Sequence, residues 1–378
     1  MTSDIPAYVP ILRAKKGEFD ALIPTRQAQL TDRVAPSFHP FFEIQNIIKV
    51  GANHLTTINT ICSKIAELWS GNTAMVDGYF WKPSEAILEN GEHFLTYAYS
   101  RLYDLNVKVV PVIGYDRWYD AASSLYRLSM EGLICPNAPY FCIRVDGEAF
   151  DDMSEPEFFA DQINDILKAL KLSHDQCVVM IDFGDVSLNR NSIEGMLSQA
   201  KAAIAALSKF DFRYISISGA SYPSEGVNLA VTEPDTDGPV LRKEMLVWQA
   251  LRETHPKLKL VFSDYGIRFP SVEVEIRNKH INGKIVYTID LKYFVVRGHP
   301  VSRDGGKYTQ MPALASRLVN SVYYEGPTFS WGDQRILDCA QGTDHFIGNS
   351  TQWVSIGTNH HIKYVLEEIE NFEFATTL

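Results

Sequence analysis

Eight short apolar runs at nearly even spacing constrain this chain more than any other feature. They are residues 8–12 (YVPIL), 41–44 (FFEI), 74–76 (AMV, followed by DGYF), 107–113 (VKVVPVI), 140–145 (YFCIRV), 177–181 (CVVMI), 213–217 (RYISI) and 258–262 (LKLVF). Their starts lie about 32 to 37 residues apart, and roughly 45 before the last, close to the length of one strand–helix unit. Strands buried on both faces read as nearly continuous apolar runs, as these do. The segments between them carry helical period. Residues 158–170 place Phe158, Ile163, Ile166, Leu167 and Leu170 on one side, with Ser154 and Glu157 as a candidate capping box. Residues 54–69, 92–103, 193–207 and 241–254 read the same way. Strand and helix repeated eight times with right-handed crossovers close into a (β/α)8 TIM-type barrel. A doubly wound open sheet is the competing α/β arrangement, but no glycine-rich first turn is present to support it.

After the eighth run the pattern changes. Residues 280–296 (HINGKIVYTIDLKYFVV) contain Asn282-Gly283, a two-residue turn signal, and strand-like stretches around Asp290. This predicts a β-ribbon and loop over 271–310, inserted after strand eight. Helices over 311–378 then complete the barrel as a carboxyl-terminal elaboration. A Thr/Asn/Gly run from 348 leads into an amphipathic stretch (HHIKYVLEEIE), with Thr358 as its expected cap. No interdomain linker is visible, so residues 1–378 read as one barrel domain.

Thirty-five Lys and Arg against 46 Asp and Glu give a net charge of −11. That balance argues against nucleic acid binding over the whole surface. The apolar runs are strand-sized, well short of the roughly 20 residues that span a bilayer. The first residues carry no secretory pattern, and five scattered cysteines without a CxxC pair read as reduced thiols. The expectation is a cytoplasmic protein with no membrane partner.

In a barrel of this kind, the carboxyl ends of the strands form the functional face. Acids stand at most of them, and Glu43, Asp77, Asp146, Asp182 and Asp264 are the catalytic candidates, with Lys16 and Arg144 as their basic partners. Carboxylates converging on one mouth repel unless a cation, a base or a shared proton compensates. Three readings stay open. Glu43, Asp182 and Asp264 can be ligands of Mg²⁺ or Mn²⁺, since hard cations take oxygen donors. Two carboxyls can run acid–base hydrolysis of a glycoside, with Asp182 and Asp185 the nearest pair. Or the acids pair with Lys16, Arg144 and Arg268 as structural ion pairs. For substrate binding, Ser218 and Ser221 flank a small-residue turn of the kind that meets phosphate with backbone N–H groups. Tyr265 and Arg268 follow strand eight, and Asn359 and His360 open the expected last helix.

Three passages, YVPILRAKKGEFDAL at 8–22, GHPVSRDGGKYTQM at 298–311 and GNSTQWVSIGTNHHIKYVLEEI at 348–369, resemble the phage-type "beta protein" family. The resemblance covers nearly the whole chain. It implies a phage-encoded or phage-defence setting and carries over no catalytic residues. Taken with the strand ends, the expectation is a metal-assisted hydrolase acting on a small phosphorylated or nucleotide-like ligand. The alternative is a non-enzymatic module recognising a phage or host protein, which an exposed apolar ribbon would favour.

Overall fold

Alternation along the strands sorts the apolar side chains into two cores, one inside a barrel and one between barrel and helices. The computed structural model describes residues 5–31, 38–45, 53–133, 135, 138–147, 149–188, 191–224, 226–270, 281–305 and 308–377. Eleven strands occur among them: β1 (Tyr8–Arg13), β2 (Phe41–Glu43), β3 (Thr73–Asp77), β4 (Lys108–Gly114), β5 (Phe141–Val145), β6 (Cys177–Asp185), β7 (Ile215–Ala220), β8 (Asp237–Leu241), β9 (Leu260–Asp264), β10 (Asn282–Ile289) and β11 (Lys292–Pro300). β1 to β7 and β9 form a closed parallel barrel in chain order, β1 pairing with both β2 and β9. Each of the eight runs supplies one barrel strand. Val9, Ile11, Phe41, Met75, Val110, Val112, Val178 and Val261 fill the interior, while Leu12, Phe42, Val76, Ile143, Val179 and Phe262 face the helices.

Helices cover the outside at the expected places, with local differences. The helix Pro156–Leu170 starts on Glu155 and Pro156, without the Ser154–Glu157 box. A proline at the first helical position is preorganised for the helix and removes one of the orphan N–H groups. The helix buries Phe159, Ile163, Ile166 and Leu167, leaving Phe158 49 % exposed.

The ribbon is part of a three-stranded antiparallel sheet in the order β10–β11–β8. β8 comes from the crossover between β7 and β9, and its sequence, DGPVL, is short and alternately exposed. Asn282-Gly283 is not the turn. It lies within β10 at a register shift, and the chain reverses at Asp290-Leu291, with Leu291 at a φ of 53°. Both faces of the β10–β11 ribbon are covered. Ile285, Tyr287, Ile289, Phe294 and Val296 pack under the helices Met311–Val319 and Trp331–Gln341, while Val286, Tyr293 and Val295 pack on Tyr222, Val227 and Ile267 above the barrel. Residues 271–280 of the expected insertion lie outside the described residues.

The last helix differs most. It runs unbroken over Ser350–Thr377, against the helix Lys16–Thr31 and against β10. Thr358, His360 and His361 therefore sit in its interior, all buried, and no helix begins at Thr358. The small residues read as a turn serve close packing instead. A Cβ on Gly357 would come within 2.6 Å of Ile267 Cδ1 and 3.2 Å of the Val286 carbonyl oxygen. Among the described residues no helix is long and apolar enough to cross a membrane, and all five cysteines are free thiols.

Candidate active site

Strand parity decides which strand-end side chains meet. Phe41, Met75, Cys142 and Val178 point into the barrel, so Glu43, Asp77, Arg144 and Asp182, at even spacing from them, point inward too. The residue after β9, Tyr265, has the same parity as Val261 and joins them. All five are buried.

Arg144 is the hub. Its Nε donates to Asp182 Oδ2 (3.0 Å), Nη1 to Glu43 Oε1 (3.0 Å) and Asp77 Oδ2 (3.1 Å), and Nη2 to Asp182 Oδ2 (2.6 Å) and Tyr265 Oη (2.7 Å). A guanidinium has five N–H groups, and five bonds are made. Tyr265 Oη passes its own proton towards Asp182 Oδ2 at 2.6 Å. Aromatic rings lie against the guanidinium, Tyr79 at 4.3 Å and Phe41 at 5.6 Å from Cζ. A second cation reaches in from the short helix Tyr115–Tyr119: Arg117 grips Asp77 with Nη1 on Oδ1 (2.8 Å) and Nη2 on Oδ2 (2.9 Å).

The environments push these carboxyls apart. Burial acts against ionised Asp77, but Arg117 and Arg144 outweigh it and hold the group below the usual carboxylate range. Burial raises Glu43 despite Arg144. Asp146 is the outlier. Burial pushes it up to about 7, against the pull of Arg144 and with a further push from Asp116. Its Oδ2 lies 3.7 Å from Arg144 Nε, and no described residue donates it a hydrogen bond. Asp116 comes this close because the next residue is glycine. Gly147 has a φ of 40°, and a Cβ there would stand 2.5 Å from Asp116 Oδ2.

Several expected site residues lie elsewhere. Lys16 is on the surface of its helix, its side chain 77 % exposed and paired with Asp20 at 2.7 Å. Arg268 stands 4.0 Å from Glu18. Asp264 has the opposite parity to Tyr265 and turns outward, where it accepts from Tyr8 Oη (2.5 Å) and His361 Nε2 (3.0 Å), with Arg242 Nη2 at 3.6 Å. The expected metal set of Glu43, Asp182 and Asp264 is thus divided, and Arg144 occupies the position a cation would need between the first two. Among the described residues no group of three His, Cys, Asp or Glu side chains is arranged to hold a metal ion.

The small residues expected to form a turn belong to the end of β7 instead, and they are equally unlike an anion site. Ser218 Oγ is buried with no hydrogen-bond partner among the described residues, and Ser221 Oγ donates to Glu244 while accepting from the Lys243 N–H. The Glu244 carboxyl takes up the Ser221 hydroxyl, and burial raises that carboxyl to about 7. Asn359 and His360 are interior helix residues. Asn359 accepts from the Gly332 N–H and donates to the Ala21 carbonyl; His360 bonds Asp333 and the Thr288 carbonyl and stacks on Tyr287. Neither opens onto the mouth, because the helix does not start there.

Arg117, in the short helix that follows β4, is a site residue outside the expected set, and its place at a strand end is the signal that points to it. His361 stands out in sequence only as one of two adjacent histidines, and Arg242 by nothing, since their partners come from distant strands. Comparison with family models matches residues 8–367 to one described as Beta protein. No curated protein matches the chain.

Proposed function

The chain belongs to the Beta protein family, and we propose that its barrel mouth is the active site of a hydrolase in which Asp146 transfers the proton. The observation that carries this reading is the state of Asp146: nearly buried, poised near 7, beside a fixed guanidinium, and with its carboxyl not engaged by any hydrogen bond from the described residues. A general acid or base works best with a pKa close to the operating pH. Neighbouring carboxyls driven in opposite directions, here Asp77 down and Asp146 up, are the pattern that separates acid and base roles. Arg144 holds the geometry. With all five N–H groups used, it binds a substrate only by giving up one of these partners.

Charge points to the substrate class. Glu43, Asp77, Asp146 and Asp182 face two guanidiniums, Arg117 and Arg144. A mouth with more carboxyls than cations favours a neutral or cationic polar substrate over a phosphate ester. The phage-conflict setting rests on the family resemblance. The recognition-module alternative is less favoured, because the ribbon strands β10 and β11 are buried on both faces and only β8 leaves an exposed edge.

The test is turnover of a panel of neutral chromogenic glycosides, esters and amides across pH 5–9, with a phosphodiester as comparison. The expected result is turnover of a neutral substrate with a limb near pH 7, falling about 10²–10⁴-fold in Asp146→Asn. A D146N protein with unchanged turnover, or preference for the phosphodiester, overturns the reading.

A further inference from the structure

Outside the barrel, a buried polar group with no place in the mouth chemistry holds the turn that carries Tyr265. We infer that His361, on the last helix, and Tyr293, on β11, are positioning residues for the mouth, acting through Asp264 and Gly266 to set Tyr265 against Arg144 and Asp182. This inference rests on the mouth being the working site.

The argument begins with adjacent residues on one strand end. Asp264 faces out and Tyr265 faces in, so fixing the first fixes the direction of the second. Asp264 accepts from Tyr8 Oη at 2.5 Å, from the Gly266 N–H at 3.0 Å and from His361 Nε2 at 3.0 Å. Burial holds His361 below its ordinary range, so the ring is neutral at pH 7. Its Nε2–H then points at Asp264, and Nδ1 accepts from Thr288 Oγ1 of β10 at 2.7 Å. The far side of the turn is held separately: the Gly266 carbonyl accepts from Tyr293 Oη at 2.7 Å. Two elements outside the barrel, β11 and the last helix, thus hold one three-residue turn, and β10 supports the second of them through Thr288.

On the inner side, Tyr265 Oη accepts from Arg144 Nη2 and donates to Asp182. Arg144 in turn faces Asp146. The outer group lies on the side of β9 turned away from the mouth, with Asp264, His361, Tyr8, Thr288 and Tyr293 all buried. Their effect on chemistry is through orientation, as supporting residues of a site commonly act. If the turn loosens, Arg144 loses the Tyr265 acceptor and leans towards the carboxyl with free lone pairs, that of Asp146. A closer cation lowers a carboxyl pKa.

The experiment follows the Asp146 carboxyl by ¹³C NMR through a pH titration in the full chain, comparing wild type with Y265F, Y293F, H361L and H361Q, alongside thermal melts. Y265F defines the effect of losing the hydroxyl itself. The expected result is that Y293F and H361L move the Asp146 midpoint down by about half a pH unit or more, in the same direction as Y265F. H361Q, whose amide can donate to Asp264 and accept from Thr288, restores the midpoint. If H361L does not fold, Y293F decides, since it removes a single hydroxyl. The inference is overturned if Y265F moves the midpoint while folded Y293F and H361L leave it where it is in wild type. A wild-type midpoint below 5 sinks the catalytic reading instead, and the differences between variants still judge the positioning one.

Discussion

Replacing Arg144 by methionine removes the charge while keeping an unbranched stem of comparable length. Five hydrogen bonds and the ion pairs to Glu43, Asp77 and Asp182 go with it. Asp77 retains Arg117; Glu43 and Asp182 keep no cation among the described residues. Removing one partner of a buried pair costs about 3–5 kcal/mol. The cost has a ceiling, because a stranded carboxyl can take a proton. At pH 7.5, protonating a group with an ordinary pKa near 4 costs about 1.4 kcal/mol per pH unit, so roughly 4–5 kcal/mol each. The two together give about 6–10 kcal/mol at pH 7.5. An unfolding entropy of about 2.1 cal/mol/K per residue gives roughly 0.8 kcal/mol/K for 378 residues, hence a Tm lower by about 8–12 °C. The pH dependence discriminates. In the variant these carboxyls have folded pKa values above their unfolded ones, so stability is present at low pH and lost as pH rises. At pH 5 the protonation cost falls to about 1 kcal/mol each, and the Tm deficit shrinks to a few degrees. Scanning calorimetry at both pH values measures it. An R144M protein that melts within a degree of wild type at pH 7.5, or with the same deficit at both pH values, refutes the reasoning.

Three further outcomes follow from the same geometry. With Asp146 at about 7 when folded and near 4 when unfolded, ionising it costs stability between those values, up to about 4 kcal/mol above pH 7; D146N should match wild type in Tm at pH 4 and exceed it by several degrees at pH 8, and equal curves at both would contradict the shift. Gly147→Ala puts a Cβ 2.5 Å from Asp116 Oδ2 on a backbone at φ 40°, so chemical denaturation should show a loss of about 1–3 kcal/mol. Lys16→Ala removes only an exposed pair with Asp20, and both stability and turnover should stay near wild type, within about 0.5 kcal/mol for stability; a dead K16A enzyme would return Lys16 to the site.

The barrel was legible because its strands are buried on both faces, which leaves runs such as CVVMI and YVPIL with no competing reading. β8 was not, since DGPVL is a half-exposed edge whose pairing is decided by β11 more than 50 residues later. Within the site, the convergence of Glu43, Asp77, Arg144 and Asp182 was readable from strand ends. Parity could have removed Asp264 from that set: Val261 inward puts Asp264 outward. What no pattern could supply was the use of all five Arg144 donors, which makes one basic partner the scaffold of the whole cluster. The last helix was misread because Gly357, packed against Ile267 and Val286, looks in sequence like a turn residue.

The central claim is that Asp146 changes protonation near neutral pH in a mouth where Asp77 stays ionised. The direct measurement is a ¹³C NMR titration of the aspartate carboxyls, with Asp146 assigned by the signal missing in D146N. The account predicts an Asp146 midpoint near 7 and an Asp77 signal, assigned in the same way from D77N, that stays ionised down to below pH 4. An Asp146 midpoint in the ordinary range near 4 would contradict it, and with it the acid–base role of the barrel mouth.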